Sequence, residues 1–153
     1  MIAYYRLLFL TILFSYHHLS AQHPNEVIEA FFESFHKKDT TSLKDFFTLD
    51  ARLVSVQNSL TGYRTREESI QDFIVAIGSI PDDLSFEERL LDYKVVDASG
   101  MTLVLTPYEF YVNGVFSHCG TNVFTLVEKE TKWKILALYD TRNKACSFSN
   151  QID

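Results

Sequence analysis

The chain has 153 residues, a formal net charge of −6 and an aromatic content of 14%. A chain of this length is expected to form one domain. Because it is acidic and carries no block of basic residues, it lacks the charge needed to neutralise a row of phosphates, and nucleic-acid binding is excluded from the expected functions.

The first 21 residues are typical of a secretory signal peptide. Arg6 precedes an apolar run over 7–16, and the sequence LSA, which ends at Ala21, has small residues suited to cleavage. The run is too short to span a bilayer as a helix. A buried N-terminal helix is the alternative interpretation. The pattern favours export to the periplasm or the medium, with the mature domain at 22–153 and no stable membrane anchor.

Three helices are predicted in the first half of the chain. The first, Pro24–Lys38, repeats apolar residues at the spacing of one helical stripe. A short second helix is predicted to open at Ser42. A third is predicted over Arg66–Ile77, because Thr65 and Glu68 form a capping-box pattern. The segment 51–57 is predicted as a strand between the second and third helices, and a polar loop is predicted to follow it over 58–64.

Four long strands are predicted in the second half, over 86–98, 101–112, 115–128 and 133–141. Asn113-Gly114 gives the strongest hairpin signal, since a type I′ turn needs positive φ at both of its central residues. Helices followed by an antiparallel meander predict an α+β domain with helices on one face of a curved sheet. A sheet that curves around helices in this way forms a cone, and the cone is expected to enclose an apolar cavity.

This element order, with the Trp that opens the last strand in WKILAL, resembles the nuclear transport factor 2-like superfamily. That group includes SnoaL-like polyketide cyclases, ketosteroid isomerase, scytalone dehydratase and many non-catalytic members. The stretch PYEFYVNGVFSHCG is also similar to small exported bacterial members described as lumazine-binding-like. The resemblance covers Asn25 to about Arg142 and implies a cone-shaped fold with a pocket. Catalytic members use a pocket Asp, His or Tyr as acid and base, but their motifs do not match here, so no catalytic position is carried over.

The turn at Asn113-Gly114 predicts which side chains meet across the first hairpin. A two-residue turn there places Glu109 opposite His118, with Cβ atoms about 5 Å apart. A carboxylate beside an imidazole raises the pKa of the imidazole and fixes its tautomer. Glu109 and His118 are therefore the candidate acid/base pair, and a satisfied polar pair at a sheet edge is the alternative.

A turn at Glu130-Thr131 makes the same kind of prediction for the last hairpin. It places Asn122 opposite Tyr139, on the face that also carries Tyr111. The two tyrosines could donate hydrogen bonds to a developing enolate or a carbonyl oxygen of a ligand. Asn122, Tyr111 and Tyr139 are therefore predicted to line the pocket.

The side chains that alternate with these point to the other face of the same strands. They form a second set at the outer face or the rim: Tyr108, Cys119, Asp140 and Arg142. Arg142 could hold an anionic ligand in a bidentate grip. A surface ion pair with Asp140 that pins the tail is the alternative interpretation. Tyr108, Asp140 and Arg142 are kept as candidate ligand-binding residues.

Cys119 and Cys146 are the only cysteines in the sequence. In an oxidising compartment they could form a disulfide, and the alternative is one buried thiol and one thiol in the tail. The sequence shows no metal-ligand spacing, phosphate loop or dinucleotide fingerprint, so no metal site and no cofactor are predicted.

Three functions remain open from the sequence. The first is an exported domain that binds a small apolar or aromatic molecule. The second is an isomerase, dehydratase or cyclase that uses His118 with Glu109. The third is an interaction module that forms a homodimer through its sheet, an arrangement common in the superfamily that the sequence resembles.

Overall fold

The computed structural model describes residues 23–59 and 62–146. The predicted signal peptide, 1–21, lies outside the described residues, and so does its cleavage site. Within the described ranges, no helix is long and apolar enough to cross a membrane.

Three helices and seven strands make up the described part of the domain. The helices are α1 (Pro24–His36), α2 (Thr40–Asp45) and α3 (Ile70–Gly78). The strands are β1 (Phe47–Ser59), β2 (Gly62–Glu68), β3 (Phe86–Leu90), β4 (Lys94–Asp97), β5 (Thr102–Val112), β6 (Val115–Lys129) and β7 (Lys132–Arg142).

All seven strands belong to one sheet, in the order β2-β1-β7-β6-β5-β3, with β4 also paired to β5. Every pairing is antiparallel except that of β1 with β7, which is parallel. The predicted α+β class, with helices on a curved sheet, is confirmed. The parallel pair was not predicted, because it joins segments that lie far apart in the sequence.

Helix α1 supplies the centre of the core. His23 caps it by accepting a hydrogen bond from the Asn25 N–H, and the Glu26 side chain returns to the His23 N–H, which completes a capping box. The buried stripe of the helix is centred on Phe31, whose ring meets that of Phe124 on β6 edge-on at 5.8 Å between centroids. Burying a side chain of this size contributes about 2 kcal/mol. The stripe therefore holds α1 against the concave face of the sheet.

Three predicted elements differ from the observed ones between residues 47 and 70. Residues 62–68 form β2 and pair with β1, where a loop and the first turn of a helix were expected. Helix α3 begins only at Ile70, because Ser69 caps it by accepting from the Asp72 N–H at 3.0 Å. Strand β1 is also longer than the predicted strand 51–57, since it begins at Phe47. Tertiary pairing overrode local propensity in these segments.

The predicted strand 86–98 is two strands, β3 and β4, which pair with successive parts of β5. Between them the Leu91 N–H donates to the Pro107 carbonyl at 2.8 Å. The interruption shifts the register against β5 by one residue between β4 and β3. As a result, Glu88 on β3 lies beside Phe110.

The Asn113-Gly114 turn forms as predicted, with positive φ at both residues and with Val112 opposite Val115. The register then shifts by one residue between Tyr111 and Phe110. Ser117 is left without a register partner, which is the arrangement of a β-bulge. Beyond the bulge, Phe110 faces His118 and Glu109 faces Cys119. The predicted pairing of Glu109 with His118 is therefore wrong.

A second shift occurs in the last hairpin. Leu126 faces Ile135 as predicted, but Thr125 faces Ala137, and Leu136 is skipped. Asn122 consequently faces Asp140 and not Tyr139. Side chains alternate between the two faces of a strand with a period of two. Beyond each bulge, the residues that share a face with the neighbouring strand are therefore the ones predicted for the opposite face.

Candidate functional site

A cavity of about 650 Å³ lies between helices α1 and α3 and the concave face of the sheet. Its apolar wall is largely aromatic and comes from α1, α3 and β5: Phe31, Phe32, Phe35, Phe73 and Phe110. The polar wall comes from neighbouring strands of the sheet. The cavity is thus apolar on its helical side and polar on part of its sheet side.

The polar side chains form two rows across the sheet, since register partners on adjacent strands share a face. The row nearer the open end is Arg64 on β2, Gln57 on β1 and Arg142 on β7. The next row, deeper in the domain, runs across five strands: Arg66, Ser55, Asp140, Asn122 and Thr106. Exposure falls along this second row from β2 towards β5: the Arg66 side chain is exposed, Ser55 and Asp140 are half-buried, and Asn122 and Thr106 are buried.

Glu88 is the central polar group of the cavity wall. Its backbone N–H donates to His36 Nε2 at 2.9 Å, which anchors β3 to α1. Its Oε1 accepts a hydrogen bond from Asn122 Nδ2 at 2.6 Å, and Asn122 Nδ2 is also 3.3 Å from Thr106 Oγ1. Oε2 accepts no hydrogen bond from the residues in 23–59 and 62–146. The carboxyl is therefore held at one oxygen and available at the other.

The environment of Glu88 holds its proton more tightly than water does. Burial raises the pKa of this carboxyl to about 7. The hydrogen bond from Asn122 and the Arg142 charge oppose the rise, and the Asp140 charge adds to it. At neutral pH the protonated acid and the carboxylate are both populated, so the group can either donate a hydrogen bond or accept a proton.

His118 lines the cavity and is half-buried. Its ring stacks on Phe110 at 4.9 Å between centroids and meets Tyr108 edge-on at 5.9 Å. Its Nδ1 lies 3.1 Å from Ser117 Oγ. Burial, followed by the Arg142 charge, lowers the pKa of His118. The Asp140 charge acts in the opposite direction but is outweighed, so the imidazole is mainly neutral at pH 7.

Asp140, Arg142 and Ser55 form a connected group across β1 and β7. Arg142 Nε donates to Asp140 Oδ2 at 2.6 Å, and its Nη2 donates to Ser55 Oγ at 3.3 Å. The Ser55 hydroxyl in turn donates to Asp140 Oδ1. The predicted pairing of Asp140 with Arg142 is present, but the pair lines the cavity and is not on the outer face.

Tyr108 also lines the cavity, but its hydroxyl is committed elsewhere. The residue is 1% exposed, and its O–H donates to the Thr141 carbonyl at 2.9 Å. Burial strongly raises the pKa of the phenol. Tyr108 therefore contributes a neutral ring to the cavity wall, and its hydroxyl proton is already donated to the Thr141 carbonyl.

Three predicted site residues lie on the other face of the sheet. Glu109, Tyr111 and Tyr139 do not line the cavity. The Tyr111 hydroxyl donates to Glu109 Oε2 at 2.7 Å, and the Arg89 guanidinium lies 4.2 Å from the centre of the Tyr111 ring. Tyr139 is 38% exposed. The two bulges account for all three corrections, because each reverses the face predicted from the turns.

Sequence reasoning missed several groups of the site, above all Glu88, Ser55 and Arg64. The Ser99-Gly100 turn signal could have placed Glu88 near β5, but extending that hairpin would set Glu88 opposite Tyr111. The observed partner is Phe110, one residue away, because the chain breaks between β3 and β4. No local signal indicated that β2 would carry Arg64 to the cavity.

Cys119 and Cys146 are joined as a disulfide, with their Cα atoms 6.1 Å apart. The backbones of Cys119 and Asn143 exchange two hydrogen bonds, of 3.0 and 2.8 Å. These contacts hold the segment after β7 against β6, next to His118. Within the described ranges, no group of three or more His, Cys, Asp and Glu side chains is arranged to hold a metal ion.

No protein-family model and no curated protein matches this chain, but solved structures do. The β subunit of a candidate aromatic-ring-hydroxylating dioxygenase from Novosphingobium aromaticivorans superposes with a TM-score of 0.65 at 7% identity, over 80% of this chain and 88% of that one. A candidate scytalone dehydratase from the same organism gives 0.59 at 10% identity, over 78% and 80%. A nuclear transport factor 2-like protein of unknown function from Shewanella baltica gives 0.55 at 16% identity, over 79% and 91%. At these identities the likeness shows the fold alone.

Proposed function

Because this chain has the nuclear transport factor 2-like fold, as its sequence resemblance predicted, we propose that it is a small-molecule-binding domain. The ligand is an apolar or aromatic molecule that enters the cavity between α1, α3 and the sheet. The fold hosts unrelated activities, so the proposal rests on the cavity of this chain.

The observation that carries the proposal is the composition of the cavity wall. Its volume of about 650 Å³ lies within the range of small-molecule sites. An aromatic side formed by five phenylalanines faces a polar side that includes Glu88, His118 and Asn122. Apolar walls favour binding through burial of ligand surface, and a few fixed polar groups orient the ligand.

Adjacent residues of α3 offer a matched test of this proposal. Both residues are exposed, but Ala76 lines the cavity and Val75 does not. The neutral probe N-phenyl-1-naphthylamine gains fluorescence in apolar sites. We expect it to bind the wild-type protein and to bind the Ala76→Phe variant at least fivefold more weakly, because the added ring occupies part of the cavity. The Val75→Phe variant should bind like the wild type.

Circular dichroism and thermal unfolding of both variants would show that they are folded. Equal affinity of the probe for the wild type and for Ala76→Phe would contradict binding in this cavity. Absence of probe binding by the wild type, together with the absence of any co-purified small molecule in native mass spectra, would contradict the proposed function itself.

A second candidate function is proton transfer to or from the bound ligand, and Glu88 is the observation that favours it. A general acid or base is most effective when its pKa lies near the working pH, and the pKa of Glu88 is about 7. In this candidate Glu88 takes the place of the predicted pair of Glu109 and His118, which the register separates. His118 would then contact the ligand as a neutral imidazole.

The base-promoted ring opening of 5-nitrobenzisoxazole tests this candidate without knowledge of the natural ligand. A carboxylate removes the proton on carbon 3, the N–O bond breaks, and the electron pair leaves on oxygen as a coloured phenolate. We expect the wild-type rate of ring opening, after subtraction of the buffer rate, to rise with pH through an apparent pKa of about 7. The same rate should be at least about tenfold lower in the Glu88→Gln variant.

Glu87→Gln is the matched control, because Glu87 precedes Glu88 on the same strand and pairs with Arg89 outside the cavity. It should leave the rate unchanged. A wild-type rate no higher than that of buffer, or one unaffected by Glu88→Gln, would contradict the proton-transfer candidate.

A further inference from the structure

Three neighbouring strands present a row of hydrogen-bond donors at the open end of the cavity. Gln57 on β1 is the register partner of both Arg64 on β2 and Arg142 on β7, and all three side chains line the cavity. Adjacent strands are about 4.8 Å apart, so the two arginine backbones lie roughly 10 Å from each other across Gln57. That spacing allows two guanidinium groups to reach one small group between them.

The donors of this row are largely unused. Arg64 forms no hydrogen bond or ion pair with any residue in 23–59 and 62–146. Arg142 directs Nε and Nη2 to Asp140 and Ser55, and its Nη1 donates to no residue in the same ranges. The Arg142 side chain is 51% exposed. Both guanidinium groups therefore retain N–H donors for a ligand.

The charges around the row leave one cation without a partner. Arg66 pairs with Glu68 at 3.2 Å, and Arg142 pairs with Asp140. Arg64 has no corresponding carboxylate among the residues that the structure describes, so the open end carries an excess of one positive charge, whereas the whole chain has a net charge of −6. Because the protein as a whole is acidic, it does not attract anions in general. Only the local positive charge at the open end of the cavity favours an anionic group there.

We propose that Arg64, Gln57 and Arg142 bind the carboxylate of an amphipathic ligand whose apolar body occupies the aromatic part of the cavity. This inference rests on the proposed function and specifies its ligand class. A guanidinium presents its donors in a planar fork that matches a carboxylate, and Gln57 adds a neutral amide donor between the two forks.

A ligand group with a single negative charge matches the one cation of the row that is unpaired within the described ranges, because Arg66 and Arg142 are already paired with Glu68 and Asp140. Asp140 and Glu68 line the cavity in or next to the same wall, and they repel a group with two negative charges more strongly than a monoanion. At the other end of the ligand, Glu88 lines the cavity and offers its second carboxyl oxygen as a partner for a hydroxyl or carbonyl oxygen. The inferred ligand is therefore a small carboxylic acid with an aromatic or apolar body and a distal oxygen.

The pair 2-naphthoate and 2-naphthamide tests the inference, because the two molecules have nearly the same shape and differ in charge. Each is used to displace N-phenyl-1-naphthylamine from the wild-type protein in low-salt buffer at pH 6, where Glu88 is mainly protonated and 2-naphthoate is ionised. We expect the naphthoate to compete several-fold better than the naphthamide. Arg64→Gln should weaken the naphthoate by about fivefold, the upper end for an exposed charge pair, and should change the naphthamide by less than twofold.

Arg52→Gln is the matched control, since Arg52 lies on the adjacent strand β1 and pairs with Glu67 outside the cavity. It removes the same charge and should leave both competitors unchanged. Arg64→Lys retains the charge and should recover part of the preference. Raising the salt concentration should weaken the naphthoate only.

Equal competition by the two molecules in the wild type, or an equal loss of naphthoate binding in Arg64→Gln and Arg52→Gln, would overturn the carboxylate site. Either result could occur while the neutral probe still binds and Ala76→Phe still weakens it. In that case the cavity remains a ligand site and only the ligand class is wrong.

Discussion

The Gly120→Ala variant is expected to lose about 3 kcal/mol or more of its free energy of unfolding. A Cβ atom at this position would overlap the backbone carbonyl of Thr141 and would lie 3.0 Å from Cε1 of Tyr108. The carbonyl belongs to β7 and accepts a hydrogen bond from the hydroxyl of Tyr108 on β5. It therefore cannot move without breaking contacts of β5 and of β7. Urea denaturation with the disulfide intact would measure the loss.

Gly78→Ala is a suitable control for this variant. Gly78 ends α3, and a Cβ there would meet only the methyl group of Thr40, at 3.0 Å. Its free energy of unfolding should stay within about 1 kcal/mol of the wild type, because alanine favours the helix and the methyl group can shift. If Gly120→Ala were as stable as Gly78→Ala, the close packing of Tyr108 against β6 and β7 would be contradicted.

The Glu88→Gln variant is expected to be more stable than the wild type at alkaline pH, by an amount on the order of 3 kcal/mol. In the folded protein the pKa of Glu88 is raised from 4.5 to about 7, so the folded state binds this proton more tightly than the unfolded state. The resulting stabilisation is complete below pH 4.5 and is lost as the pH rises to about 7. Glutamine cannot ionise and retains an oxygen to accept from Asn122, so it removes this loss.

The measurement is the difference in free energy of unfolding between the variant and the wild type at several pH values from 4 to 8. The difference should be small at pH 4, should grow through pH 7 and should then become constant. The difference also removes the contribution of His36, whose pKa is lowered by burial and whose protonation destabilises both proteins below about pH 6.5.

Glu87→Gln should show the opposite sign in the same experiment. The hydrogen bond from Arg89 lowers the pKa of Glu87, so its ionised form stabilises the folded state above pH 4.5. Removing it should give a small loss at neutral pH, since the pair with Arg89 is exposed. A flat difference between Glu88→Gln and the wild type from pH 4 to 8 would contradict a buried, proton-binding carboxyl in the cavity.

These expectations describe a cavity whose stability and chemistry are coupled. Above pH 7 the ionised Glu88 destabilises the folded protein, because its charge lies inside a partly apolar wall. Groups of this kind are frequent at functional sites, where burial adjusts the pKa to the chemistry. The same variant therefore tests the stability of the domain and, with 5-nitrobenzisoxazole, the reactivity of the site.

The sequence by itself determined the elements that depend on local patterns. The apolar stripe of α1, the turn at Asn113-Gly114 and the order of helices before strands follow from residue spacing and from the conformational preferences of Asn and Gly. The fold implied by the resemblance is confirmed. His118, Asn122 and Arg142 were predicted as candidates and do line the cavity, although their roles remain predictions.

The tertiary structure alone decided which side chains share the cavity. Bulges at Ser117 and Leu136 moved Glu109 and Tyr139 to the outer face and Asp140 to the inner one. No residue type at either bulge marks it in the sequence, and a shift of one residue reverses a face because strand side chains alternate with a period of two.

Long-range pairing decided the remainder of the site. The contact between Ser55 and Asp140 joins residues 85 positions apart, and the parallel pairing of β1 with β7 also brings Gln57 next to Arg142. Such pairings form because they bury the shared core and satisfy the backbone of the strands. Those energies belong to the assembled sheet, so no window of the sequence contains them.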